Sequence, residues 1–149
     1  MTFKEKIFQQ YVLHVHDKII LLQKTLHDLT DSAADETKST AGDKHETALA
    51  MLQIEQENSS RQLSEALKQK AVLEKIDSSL HPEQVVSGSL VKTNKGYFFI
   101  CLGLGKITVD EQLIIALSPE SPLGKQLMHV KQGDSIEFNG TGYIIEEVV

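Results

Sequence analysis

Apolar residues in the first quarter of the chain recur at Phe8, Val12, Val15, Ile19, Leu22, Leu26, Leu29 and Ala33, in alternating steps of four and three. That alternation over four heptads is the seam of a coiled coil. It lapses over the polar residues 37–42 and resumes at Ala48. From there to about Leu80 the candidate buried positions include Leu49, Leu52, Leu63, Leu67, Val72, Ile76 and Leu80. The second seam is weaker, because Gln56, Ser59 and Lys70 fall near seam positions. Two long helices joined by a short polar turn predict an antiparallel hairpin. Arms of roughly 35 residues, at ~1.5 Å per residue, would project roughly 50 Å.

The remainder is patterned differently. Residues 1–80 hold one glycine, Gly42, and no proline, whereas residues 81–149 hold the other eight glycines and all three prolines. Turn punctuation of that kind predicts strands. They are expected at residues 87–93, 97–104, 112–117, 135–139 and 142–148, with turns at Asn94-Lys95-Gly96 and Asn139-Gly140. Ser121 suits a helix N-cap and Pro122 the first helical position, so a short helix should cover one face of the sheet. The expected fold is α+β: an N-terminal helical coiled-coil hairpin over residues 1–80, then a small antiparallel β-sheet domain with one short helix over residues 81–149.

Composition narrows the function classes. At 149 residues, 40% hydrophobic and 24% charged, the chain resembles an ordinary soluble globular protein and is too short for a large multi-domain enzyme. A net charge of −6 argues against wrapping a nucleic-acid backbone. One cysteine, Cys101, allows no internal disulfide and no cysteine-rich zinc site, and its apolar setting suggests a buried thiol. The N-terminus lacks the apolar core of a signal peptide, and no apolar run is long enough to span a bilayer. A cytoplasmic, reduced setting is expected.

Charge concentrates near the turn. Between Asp28 and Glu46 lie Asp28, Asp31, Asp35, Glu36, Asp43 and Glu46, against Lys38 and Lys44. Crowded like charge must be screened by solvent or offset by a cation or a basic partner. At the start of the second helix stands Gly42-Asp43-Lys44-His45-Glu46. From spacing alone, Asp43 as N-cap with Glu46 at the third helical position is a capping pair, the commoner use of such residues. Asp31, Asp35 and Glu36 read as a solvated face, Lys44 and His45 as exposed bases near acids. The basic residues Lys4, Lys6, Lys18, Lys24, Arg61, Lys68, Lys70 and Lys75 are scattered among acids and form no dense patch. Gly103-Leu104-Gly105-Lys106 lacks the spacing of a phosphate-binding motif and reads as a bulge or tight bend.

The acidic-tipped hairpin followed by a small β domain resembles the Gre transcript cleavage factors of bacterial RNA polymerase. The resemblance spans nearly the whole chain. It rests on Ser121-Pro122-Leu123-Gly124-Lys125 with Leu127, on Gly133-Asp134 and the closing strand, on residues 86–91 (VSGSLV), and on Gly42-Asp43 with Glu46 at the tip. After Glu46 the chain departs, reading Thr47-Ala48-Leu49-Ala50 where the family usually has Asn, Ala, Glu, Tyr.

The resemblance implies an FKBP-like C-terminal domain that docks on RNA polymerase through Ser121, Pro122, Leu123, Gly124 and Lys125. It implies that the hairpin enters the secondary channel and meets the 3′ end of backtracked RNA, with DNA engaged only through the polymerase. Asp43 would be a metal ligand, completing a Mg²⁺ site shared with the polymerase, and Glu46 would position the water. The chain would then be an accessory factor rather than an enzyme, with no stably bound cofactor, no membrane partner and a monomeric state. Two other readings stand beside it. One is a channel-occupying regulator without cleavage activity; the other is a helical hairpin for assembly with a helical partner.

Overall fold

The structure is a computed structural model that describes residues 1–37 and 42–149; for Thr37 and residues 42–44 it describes the backbone alone. The α+β class and the hairpin-then-sheet order hold. Helices α1 (Phe3–Thr37) and α2 (Gly42–Glu74) come first. Strands β1 (Leu90–Thr93), β2 (Gly96–Ile100), β3 (Gly105–Val109) and β4 (Gln112–Leu117) follow, then α3 (Pro122–Leu127), β5 (Ser135–Phe138) and β6 (Thr141–Val148). The chain divides into two compact units, residues 13–71 and residues 1–12 with 72–149, so the division falls inside both long helices.

Within residues 13–71, the expected α1 seam is present. Val15, Ile19 and Leu22 are buried, and Leu26, Leu29 and Ala33 are half-buried. On α2, Leu49, Leu52, Gln56, Ser59 and Leu63 are half-buried and Ala66 is buried. Two expectations on α2 fail. Leu67 is 45% exposed, and Lys70 is exposed while Gln69 takes the seam position. The buried Oε1 of Gln69 has no hydrogen-bond partner among the described residues. Polar residues in a seam weaken packing but fix register.

Residues 1–12 and 72–149 form the second unit, built on a six-stranded sheet ordered β3-β4-β2-β1-β6-β5. It differs from the expectation in two ways. β3 is an additional strand where a bulge was expected, paired with β4 from Gly105↔Ala116 to Val109↔Gln112. Its hairpin turns on Asp110 and Glu111, both at positive φ (49° and 66°), the conformation of a type I′ turn. β4 then returns between β3 and β2 and runs parallel to β2, so the sheet is not wholly antiparallel.

Burial on both faces explains the uninterrupted run Tyr97-Phe98-Phe99-Ile100-Cys101, since a strand covered on two sides has no polar alternation. On one face Phe98, Ile100, Val91 and Ile145 form a core with Val85 and with Leu127 of α3. On the other, Phe99 meets the first turns of α1: Tyr11 stacks on it at 6.0 Å and 5°, and Phe8 lies at 6.3 Å. Here the α1 seam shifts by one residue. Ile7 and Tyr11 are fully buried, whereas Phe8 is half-buried and Val12 is 37% exposed. Leu80, expected to be buried, is 61% exposed, but its carbonyl accepts from Lys4 Nζ at 2.6 Å.

Cys101 is buried, as its setting suggested. Burial pushes its thiol from 9.0 up to about 11. A raised native value means stability that is present below pH 9 and lost as pH rises through about 11, worth roughly 2–3 kcal/mol. In thermal melts at pH 8 and pH 11, Cys101→Ala should therefore lose less stability between the two than wild type does. An equal loss in both would assign the alkaline sensitivity to another group.

Candidate functional site: the hairpin tip and the α3 segment

α2 begins at Gly42, which puts Asp43 inside its first turn rather than at the N-cap position before it. The side chains of Asp43 and Lys44, and residue Lys38, lie outside the described residues, as does the capping contact expected of Asp43. Glu46 is exposed, three residues further on. Residues three apart lie on one helical face, so the backbone places Asp43 and Glu46 on the same side of α2.

His45 is not the exposed base expected from the sequence. It is half-buried, with Nδ1 3.5 Å from Oε1 of Glu36 at the end of α1. The contact has the distance of an ion pair without a hydrogen bond, and among the described residues the buried Nδ1 has no hydrogen-bond partner. Glu36 is correspondingly half-buried rather than solvated. Asp31 and Asp35 are exposed as expected, and Asp31 lies 3.4 Å from His27 one turn earlier. Neither residue's own charge run points to the Glu36–His45 contact, which joins the end of α1 to the first turn of α2.

Among the described residues, no group of three or more His, Cys, Asp and Glu side chains could hold a metal ion. Such a tip can contribute a carboxylate to an ion held elsewhere.

The Ser121–Lys125 segment has a clear local logic. Ser121 caps α3: its Oγ accepts from Gly124 N at 3.1 Å and donates to Ser118 O at 2.7 Å. Pro122 opens the helix, where no N–H is needed. Leu123 packs against the sheet core, and Gly124 is buried. That leaves Pro122 and Lys125 exposed. Ser121 and Gly124 serve the fold, so the side chains open to a partner are Pro122 and Lys125.

The basic residues of α1 and α2 are largely engaged within the chain. Lys4 is buried, Lys6 pairs with Asp110 at 3.1 Å, Arg61 donates to Asn58 at 2.6 Å, and Lys68 lies 3.5 Å from Glu65.

No protein-family model and no curated protein matches the chain. The solved structure of the transcription factor Gfh1 is similar over 92% of this chain and 92% of its own, at 12% identity and a TM-score of 0.37. That likeness is too loose to bear on the site or on activity. No helix among the described residues is long and apolar enough to cross a membrane.

Proposed function

We propose that this chain is a transcription elongation factor of the Gre type. It docks on bacterial RNA polymerase through the α3 segment, enters the secondary channel with its hairpin tip and stimulates cleavage of backtracked RNA by the polymerase. The observation that carries the reading is the placement of Asp43 in the first turn of α2, with exposed Glu46 on the same face, where two helices of 35 and 33 residues end and begin. The residues quoted above for the Gre resemblance support it further.

On this reading Asp43 supplies one hard oxygen ligand to a shared Mg²⁺. The ion would activate a water and stabilise the leaving oxygen of the RNA. Glu46 orients that water by accepting a hydrogen bond from it. The Glu36–His45 contact ties the end of α1 to the first turn of α2, and so helps fix the direction in which that turn points. Pro122 and Lys125 meet the polymerase surface. The chain forms no bond to RNA itself, so it is an accessory factor and not an enzyme.

The test is RNA release from a stalled, backtracked elongation complex at limiting Mg²⁺, with no factor, wild type, Asp43→Asn and Glu46→Gln. Asparagine suits a helix N-terminus about as well as aspartate does but removes the anionic ligand. Wild type should accelerate release, and Asp43→Asn, still bound to polymerase, should lower the stimulated rate on the order of 100-fold, close to 3 kcal/mol. Wild type that binds polymerase yet leaves cleavage at background would overturn the cleavage reading. The chain would then be a channel-occupying regulator, consistent with the changed residues after Glu46.

A further inference from the structure

A cavity of about 430 Å³ opens beside the start of α1, walled by Phe3, Lys4, His81, Lys92, Tyr97 and Glu147 among others. All its walls belong to the unit of residues 1–12 and 72–149. The volume is within the ~300–1,000 Å³ of small-molecule sites. The tip chemistry makes no use of it.

Its charges are unevenly solvated. Lys4 is only 3% exposed, and its Nζ donates to a neutral acceptor, the Leu80 carbonyl. Burial holds its ammonium below the ordinary 10.5, an effect that Asp77 only partly offsets. Lys4 also lies in the first turn of α1, where the positive end of the helix dipole opposes a cation. A buried cation with so little compensation favours an anion within reach.

Lys92, a half-buried residue, adds a second ammonium. Its register on β1 sets it opposite Tyr97 on β2 and Glu147 on β6, so the three side chains share one face. Glu147 is exposed, and water screens much of its charge. Phe3 and Tyr97 meet edge to face at 5.1 Å and offer an apolar, ring-sized wall.

We propose that this cavity binds a small monoanion, a carboxylate on an apolar ring-sized body, with the carboxylate between Lys4 and Lys92 and the body against Phe3 and Tyr97. A single negative charge is expected because Glu147 already offsets part of the positive charge of the two lysines.

Benzoate is the probe, titrated into the full chain while backbone amide resonances are followed by NMR. Saturable shifts should be largest at Phe3, Lys4, Lys92 and Tyr97. Uncharged benzamide should give none, and inorganic phosphate should bind more weakly than benzoate. Lys4→Met also strips the Leu80 carbonyl of its donor, so Lys92→Met is the primary variant. It should weaken benzoate about tenfold, the loss of one charge-assisted hydrogen bond, and leave the melting temperature unchanged. Absence of saturable shifts would show that neighbouring carboxylates already neutralise the lysines, and would end the proposal. Benzamide binding as tightly as benzoate, or Lys92→Met binding benzoate as wild type does, would end it equally. Phosphate binding in place of benzoate would overturn the carboxylate assignment.

Discussion

Tyr11→Ala should lower the unfolding free energy of the sheet-bearing unit by roughly 3–5 kcal/mol, the range for emptying a buried aromatic site. Tyr11 is fully buried, and its ring stacks on Phe99. Its hydroxyl donates to the Gly105 carbonyl at 2.9 Å, with the Ile114 carbonyl at 3.3 Å sharing the proton less well. Alanine would leave a void beneath the sheet and take the donor from both carbonyls, one on β3 and one on β4. Tyr11→Phe separates the two losses. It keeps the ring and removes the hydroxyl, and should cost roughly 1–2 kcal/mol. Burial also pushes the Tyr11 phenol above its ordinary 10.0. A raised native value gives stability that is present below pH 10 and is lost at higher pH, so Tyr11→Phe should flatten the alkaline end of the stability profile. Urea denaturation at pH 8 and pH 11 reads all three effects. Tyr11→Ala within 1 kcal/mol of wild type would mean that α1 contributes little to holding this sheet.

Tyr11 also marks where the sequence stopped being legible. The four-three alternation identifies Val15, Ile19 and Leu22 because there α1 has one kind of neighbour, another helix, and a regular seam suffices. Below Val15 the helix covers a sheet face instead, and the buried stripe moves onto Ile7 and Tyr11. Periodicity continued from above points to Phe8 and Val12. On α2 the step of four from Leu63 points to Leu67, yet Ala66 is the buried residue and Leu67 remains 45% exposed. Strands whose ends carry glycine or asparagine were found to within a few residues. β3 was missed because its turn is Asp110-Glu111, residues that seldom adopt positive φ in succession, and because Gly103 and Gly105 suggested a bend. The parallel β2–β4 pair is a consequence of strand order, which no local pattern encodes. At the tip, sequence placed Asp43 and Glu46 on one helical face. It did not bring Glu36 to His45, a contact that exists only once the two helices share a register.

Gly124→Ala should be nearly as damaging, on the order of 3 kcal/mol, although it adds a single methyl group to a helix. A Cβ at Gly124 would lie 1.9 Å from the Ser118 carbonyl oxygen and 2.7 Å from Ser121 Oγ. The first neighbour is backbone, so a side-chain rotation cannot relieve the clash. That same oxygen accepts from Ser121 N at 3.1 Å and from Ser121 Oγ at 2.7 Å, and the Gly124 N–H closes the circuit by donating to Ser121 Oγ at 3.1 Å. Making room for the methyl therefore displaces the N-cap and the first turn of α3 together, and with them Leu127, which is fully buried in the sheet core. Alanine's better helix propensity, worth about 1 kcal/mol, is too small to offset this. Gly103→Ala is the matched control: nothing lies within 4 Å of a Cβ there, and the change should be near neutral. For a unit of this size the expected difference is a fall in melting temperature of about 10 °C or more for Gly124→Ala, against little change for Gly103→Ala. Ser121→Ala should lie between them, at about 1 kcal/mol for a lost cap. If Gly124→Ala melts with wild type, the tight turn at Ser118 does not hold α3. The glycine of the Ser-Pro-Leu-Gly-Lys segment would then need an explanation outside the fold, with the proposed partner contact as the first to test.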